Sequence, residues 1–472
     1  DHGASPHGRN RSEKEVAELL QRSLSPVRIT HEDVEVAGRL SSLCVEDYIH
    51  PVVLLLRFLG HYAKNLGYEV VESLNMRLPP RPSVSRGPPL TSPEWKEFLD
   101  LEGRVTRVAE LKQRIFRGGM EPGLRKEAWK FLLGMYPYDS TEEEREELRK
   151  KKVDDYYRMK LQWRSISAEQ ESRFSALRDR KALVEKDVER TDRTVHFYEG
   201  KGNDNLLMLK DILTTYIMWN FDLGYVQGMS DLLSPILFIM ENEVDAFWCF
   251  VGFMDIMGPN FAMDQSKIKE DLEKAHFLVE SLDPDLGEYL EKMGSGNMYF
   301  CFRWLLIWFK REFEFPDVQR LWEVLWTGLP TPNFYLLLCV AALCMEKAII
   351  MENQFGFTEI LKHVNEMSYR IDVEKLLAEA EGLYLQVQNA QNLPSRIAEI
   401  LGLEISPHQL QMVHQSNKTE VNGQKSPPGA PAGAIGSSEP GNTSTDTEAM
   451  DSIEVLGECD DAISHVLAFN FL

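Results

Sequence analysis

Leu206-Leu207-Met208-Leu209-Lys210-Asp211-Ile212-Leu213-Thr214-Thr215-Tyr216 decides the fold class. Leu206, Leu209, Ile212, Leu213 and Tyr216 recur at steps of three and four, which puts them on one face of an α-helix. Outward from it, Met229, Leu232, Leu233, Ile236 and Leu237 repeat the pattern, and Pro235 is predicted to kink that helix or end its first half. Residues 298–313, 316–326, 334–351 and 373–387 read as further helices, the second with Pro316 in its first turn. The tract 141–152 opens with carboxylates and closes with basic residues, matching the helix dipole. There is no period-two strand run, Rossmann glycine pattern or internal repeat. Residues 105–390 are therefore expected to form an all-α domain.

The flanks read differently. Residues 1–78 mix charged, helix-compatible sequence with an apolar run at 52–59, and give only a partial or atypical N-terminal region. Residues 79–104 read as a proline-rich linker, with five prolines before Pro93. Within it Ser92-Pro93-Glu94 has the form of a helix start. Residues 404–472 form an acidic tail of low complexity, expected to be mostly disordered because so little of it is apolar. The chain begins at Asp1 without a methionine, as expected of a fragment.

Composition narrows the function classes. The 472 residues carry a net charge of −22, which argues against a nucleic-acid partner and against general attachment to anionic membranes. From Glu404 onward ten carboxylates face Lys418 and Lys425, so −8 of that charge lies in the tail and −14 elsewhere. The six cysteines are scattered with no CxxC pair, so neither a zinc site nor a disulfide framework is indicated and a reducing, cytoplasmic compartment is expected. The apolar runs at 52–59, 299–309 and 334–345 are too short to span a bilayer.

The usual chemical signatures are absent. No GxxxxGK[ST] loop offers to hold a nucleotide, and no HExxH or clustered His/carboxylate pattern offers to hold a metal. His196 and His363 read as ordinary surface or core residues, and Cys249, between Trp248 and Phe250, reads as core. Arg190 and Gln227 remain. An arginine that keeps its proton neutralises charge building on phosphate, and an amide that donates and accepts can orient a water. Taken singly each has a plain structural reading. Asp187 and Arg190 have ion-pair spacing, and Gly224 and Gly228 bracket Gln227 in a turn where Gly228 frees the backbone at a tight helix entry.

In order, and on a helical background, these segments resemble the TBC family of Rab GTPase-activating proteins. That family carries an I/V-x-x-D-x-x-R motif and, about forty residues later, a Y-x-Q-G motif. Here they correspond to Val184, Asp187 and Arg190, then Tyr225, Gln227 and Gly228. The resemblance includes Arg125 and Trp129 of the opening R-x-x-x-W motif, Met229-Ser230-Asp231-Leu232, Asp245-Ala246-Phe247-Trp248, and Phe302-Arg303-Trp304-Leu305. It spans about residues 115–387. A closer likeness is to the subfamily with a proline-rich lead-in, through Arg81-Pro82-Ser83-Val84-Ser85-Arg86, Glu94-Trp95 and Asp100-Leu101-Glu102-Gly103-Arg104.

The resemblance implies that the chain is a GTPase activator rather than an enzyme in its own right. Arg190 would enter a GTP-bound Rab as an arginine finger and Gln227 would align the water. Asp187, Thr191, Tyr225, Gly228 and Asp231 would support the fingers or bind the GTPase, while Arg125 and Trp129 would hold the first helices together. Arg193, one turn on, is the competing finger. No cofactor is implied, since the partner carries GTP and Mg, and no metal site. The subfamily points to late-endosomal Rabs, vesicle traffic and a cytoplasmic location, peripheral on endomembranes through an adaptor. A catalytically weak Rab-binding scaffold is the alternative.

Overall fold

The computed structural model describes residues 76–404, and the readings of residues 1–75 and of the tail beyond 404 lie outside them. The described residues form an all-α fold with isolated bridges and no strand. It opens with α1 (Ser92–Glu97), α2 (Val108–Gly118), α3 (Arg125–Leu132), α4 (Glu142–Arg164), α5 (Ala168–Arg173) and α6 (Ser175–Arg190). The middle holds α7 (Asp204–Trp219), α8 (Met229–Met240), α9 (Glu243–Met257), α10 (Ser266–Leu282) and α11 (Pro284–Lys292). After these come α12 (Phe302–Leu306), α13 (Phe315–Trp326), α14 (Phe334–Glu352), α15 (Phe357–Glu366), α16 (Val373–Gln388) and α17 (Ser395–Leu401).

Local chemistry sets many of the starts. Thr91, Thr141 and Ser167 each close a capping box with Glu94, Glu144 and Gln170, satisfying backbone donors that the first turn leaves open. The first helix thus begins at Ser92 with Pro93 in its first turn. Asn203, Asn242, Asp283 and Asp372 cap α7, α9, α11 and α16 in the same sense.

The core is aromatic where α3, α9 and α13 meet. The Phe253 ring lies 4.9 Å from Trp322 and 5.3 Å from Trp326, and Trp129 lies 4.8 Å from Trp326. Arg125 and Trp129 fasten α3 to α13 through a buried carboxylate. Arg125 Nε donates to Glu323 Oε1 at 2.6 Å, Trp129 Nε1 to the same oxygen at 3.1 Å, and an Arg125 terminal nitrogen to Gln319 Oε1 at 2.6 Å.

Three expectations need correction. Of the two alternatives for Pro235, a kink or an early end, the end does not occur, because α8 is one element with Pro235 inside it. Leu232, Leu233, Ile236 and Leu237 are wholly buried around it; at about 1.5–3 kcal/mol each, they outweigh the roughly 3 kcal/mol that an internal proline costs. Residues 298–313 are not one helix. After α12 the chain turns through left-handed backbone at Trp308 (φ 42°) and Phe309 (φ 59°), and the freed Trp308 carbonyl accepts from Trp322 Nε1 at 2.9 Å. The helix opening at Phe334 runs nineteen residues to Glu352, long and apolar enough to cross a membrane by length and composition. Phe334–Leu343 is buried throughout, however, and α10 and α16 cover it, so it serves as a core helix here. The proline-rich segment from 79 to 91 holds no helix, and it is tied to the domain. Arg81 pairs with Glu379 at 3.2 Å and Arg86 with Glu381 at 2.6 Å, both on α16, and Leu90 is fully buried.

Candidate functional site

α6 packs against α7 and against α8, and Arg190 is its last residue. A cation there is favoured by the helix dipole. Its side chain is 49% exposed, whereas that of Asp187, one turn earlier, is 4% exposed. Arg190 donates to Asp187 Oδ1 twice, from Nε at 3.1 Å and from a terminal nitrogen at 2.8 Å. Asp187 is therefore a buried anchor at the base of an arginine whose outer part meets solvent.

The second half of the site is the loop between α7 and α8, sewn to the end of α6 at two points. Tyr225 Oη donates to Asp187 Oδ2 at 2.7 Å, and Thr191 Oγ1 bonds Ser230 Oγ at 3.0 Å as well as the Asp187 carbonyl at 2.6 Å. Gln227 lies between these two stitches. It is half-buried, and among the described residues its side chain has no hydrogen-bond partner. The loop needs its glycines. Gly228 begins α8 at φ 102°, and Gly224 sits at φ 67° where a Cβ would come within 2.4 Å of the Arg180 guanidinium. Arg180 itself donates to the Phe221 carbonyl at 2.6 Å and closes the loop's entry.

Burial, then the neighbouring Asp187 charge, raises the Tyr225 phenol well above its ordinary value, so it stays a donor. Asp231, at the start of α8, is buried and accepts from Arg311 at 3.1 and 3.0 Å. Its carboxylate is thereby committed to the fold. Arg193 turns back to the Gly200 carbonyl.

Sequence reading singled out Arg190, Gln227, Asp187, Thr191, Tyr225, Gly228 and Asp231, and the fold brings all seven together. Arg125 and Trp129 lie elsewhere, in the α3–α13 core. Sequence reading missed Lys310 and Arg311. Lys310 is buried and donates at 2.8 Å to Asp192, two residues beyond Arg190, while Arg311 holds Asp231. These pairs join residues 118 and 80 positions apart, and a single sequence carries no local sign of them.

Other chemistry is muted. Burial pushes the Cys249 thiol up, in keeping with a core residue. Among the described residues one group has metal-ligand side chains in reach of each other, His276, Glu280 and Glu291. There His276 Nε2 is 2.9 Å from Glu291 and 3.4 Å from Glu280, an ion-pair cluster that ties α10 to α11.

Residues 122–351 match the Rab-GTPase-TBC domain, so the chain carries a domain of that family. Over 395 residues it is 50% identical to TBC1 domain family member 17 of Homo sapiens, covering 84% of this chain and 59% of that protein. GTPase-activating protein GYP7 of Yarrowia lipolytica is 40% identical over 354 residues, covering 70% of this chain and 47% of that protein. The chain thus spans about half the length of these curated relatives. The crystal structure of the Ypt/Rab-GAP domain of Gyp1p has the same fold, with a TM-score of 0.55 at 20% identity, covering 62% of this chain and 96% of that one.

Proposed function

We propose that this chain is a GTPase-activating protein for Rab-family small GTPases and acts in vesicle traffic, supplying Arg190 and Gln227 in trans to a GTP-loaded partner. The observation that carries the reading is the double tie through Asp187. One buried carboxylate accepts from both Arg190 and Tyr225, so the exposed arginine and the Gln227 loop share an anchor.

In this mechanism the partner brings GTP and its magnesium ion, and the chain brings no cofactor. Arg190 neutralises charge that builds on the phosphate oxygens as the terminal phosphoryl group transfers. Gln227, whose amide donates and accepts, aligns the attacking water in place of the GTPase's own switch glutamine. A finger of this kind is worth about 10³–10⁵ in rate, or roughly 4–7 kcal/mol of barrier. Asp187, Tyr225 and Thr191 orient the two groups before the partner arrives, so little reorganisation is left for the reaction step. Gly228 and Asp231 shape the helix entry under Gln227.

Residues 105–390 are the activating domain in this reading, with 79–104 as its lead-in and 404–472 as an acidic tail. The preference is for a late-endosomal Rab, and the chain is cytoplasmic, reaching endomembranes through an adaptor. GTP hydrolysis by a panel of Rabs, measured with wild type, Arg190→Ala and Gln227→Ala, tests the core of the proposal. Each substitution is expected to cut stimulated hydrolysis by orders of magnitude while binding weakens much less, because the lost contacts belong to the transition state. Full stimulation by Arg190→Ala on the best substrate overturns the finger assignment. Binding of GTP-loaded Rab by wild type without acceleration marks the scaffold instead.

A further inference from the structure

Three consecutive residues between α12 and α13 reach three different parts of the site's surroundings. Lys310 holds Asp192, just past Arg190, and Arg311 holds Asp231, just past Gln227. Glu312, wholly buried, accepts from Arg303 Nε at 2.8 Å and from Ser368 Oγ at 2.6 Å, and its own backbone carbonyl accepts the Tyr369 N–H at 2.8 Å. The same framework that braces the two catalytic candidates therefore ends in a seat for Tyr369.

Tyr369 is an odd residue to seat there. It is 63% exposed and its backbone is left-handed at φ 62°. That conformation suits glycine or asparagine and is costly for a bulky side chain. The turn's geometry comes from the backbone bond to Glu312, which any residue but proline supplies, so the fold gains little from an aromatic ring here. Partial burial, opposed by Lys310 and reinforced by the Asp192 carboxylate, raises the phenol, which stays neutral and able to donate. Glu314 and Glu312 act in the same direction.

We propose that Tyr369 is a contact residue for the GTPase, packing its ring on an apolar side chain beside the nucleotide-bearing face of the partner. This rests on the activity proposed above and adds a binding residue to it. A standard interface covers about 800 Å² per partner, or about 16 Å outward from its centre. Asp192 is two residues from Arg190, no more than about 7 Å of chain; Lys310 holds Asp192 at 2.8 Å, and the Tyr369 N–H is bonded at 2.8 Å to Glu312, two residues from Lys310. A partner seated over the finger and this brace covers the exposed Tyr369 ring. Exposed tyrosines are frequent binding hot spots because they offer large area at low entropic cost.

The test uses the full chain and the GTP-loaded Rab that wild type stimulates most, with Tyr369→Phe and Tyr369→Asn. Asparagine tolerates the left-handed turn, so the Asn variant is expected to melt at or above the wild-type temperature. Its KM for the Rab should rise about tenfold or more, with kcat within about twofold. Tyr369→Phe should stay within about threefold of wild-type KM, since the ring carries the contact. A wild-type KM in the Asn variant overturns the proposal. So does a fall in kcat at unchanged KM, which places Tyr369 behind the finger through Asp192 rather than against the partner. If wild type stimulates no Rab in the panel, the activity itself fails and this contact fails with it, an outcome distinct from the other two.

Discussion

Removing one oxygen from Tyr225 tests whether the shared anchor positions the finger or merely stabilises the fold. Tyr225→Phe keeps the buried ring and deletes the donor that meets Asp187 Oδ2 at 2.7 Å. A hydrogen bond to a charged group is worth about 1.5–3 kcal/mol. Arg190 still holds Oδ1, so a loss of about 2 kcal/mol is expected, or about 4 °C of melting temperature for a domain of this size. Without that donor the carboxylate turns about its own bond and carries both Arg190 contacts with it. Displacing a reacting group by about 1 Å costs up to 10²-fold, so stimulated hydrolysis should fall about 10- to 100-fold, less than for Arg190→Ala. Single-turnover GTP hydrolysis, run well below both melting temperatures, reads the second effect free of the first. The phenol's raised value places loss of its proton above its ordinary titration near 10, so the stability it contributes is present below that range and lost only above it. Tyr225 therefore adds no pH dependence near neutrality. Full wild-type hydrolysis by a variant that melts lower refutes the positioning argument and leaves Asp187 a structural residue.

Two further outcomes follow from the packing. Arg125→Met strands the fully buried Glu323, whose carboxyl burial raises and Arg125 lowers. Breaking such a pair costs about 3–5 kcal/mol. Thermal unfolding should show the loss, the folded fraction should keep its activity, and adding Glu323→Met should recover much of the stability. In the second, burial lowers the His276 ring's value but Glu280 and Glu291 more than offset it, leaving it raised. Its contribution is then present below about pH 6.5 and lost as pH rises through the higher folded value. Both glutamates are nearly half exposed, so the effect is at most about 1 kcal/mol. The denaturant midpoint of wild type should exceed that of His276→Gln at about pH 6 and approach it at about pH 9, Arg396 being the cation that opposes the ring's charge.

The sequence was legible where physics is local. Leu206 to Tyr216 form one buried helix face because apolar spacing alone dictates it, and all five of its periodic residues are buried. Ser92-Pro93-Glu94 announces a helix start, although the capping residue is Thr91, one position earlier. Arg190, Asp187 and Tyr225 were visible as motifs, but that Tyr225 closes on the far oxygen of Asp187 is a property of how α7 returns the chain. Pro235 and the stretch from 298 to 313 misled for one reason. In each, tertiary packing overrode local preference: a fully apolar surround keeps α8 whole, and the demands of Asp192, Asp231 and Trp322 break the chain after Leu306. The roles of Lys310 and Arg311 were unreadable because each partner is distant in sequence.

An arginine finger has two conflicting needs. It must be exposed to reach a partner, yet an exposed arginine on a flexible stem loses rotamer entropy when it binds. For Arg190 in the proposed role, both needs are met by burying the acid it pairs with instead of the arginine. Asp187 is out of water, with its carboxylate divided between Arg190 and Tyr225, so the cost of burying that charge is offset by bonds that also fix direction. The guanidinium's flat fork makes this possible, since two nitrogens meet one oxygen of Asp187 while about half of the side chain stays exposed. An ammonium at position 190 is a point charge without a fork and gains no such orientation. The same acid also ties down, through Tyr225, the loop that carries Gln227. In the proposed mechanism Arg190, Tyr225 and the carboxylate they share act as one device, in which loss of any member costs more than its own contacts.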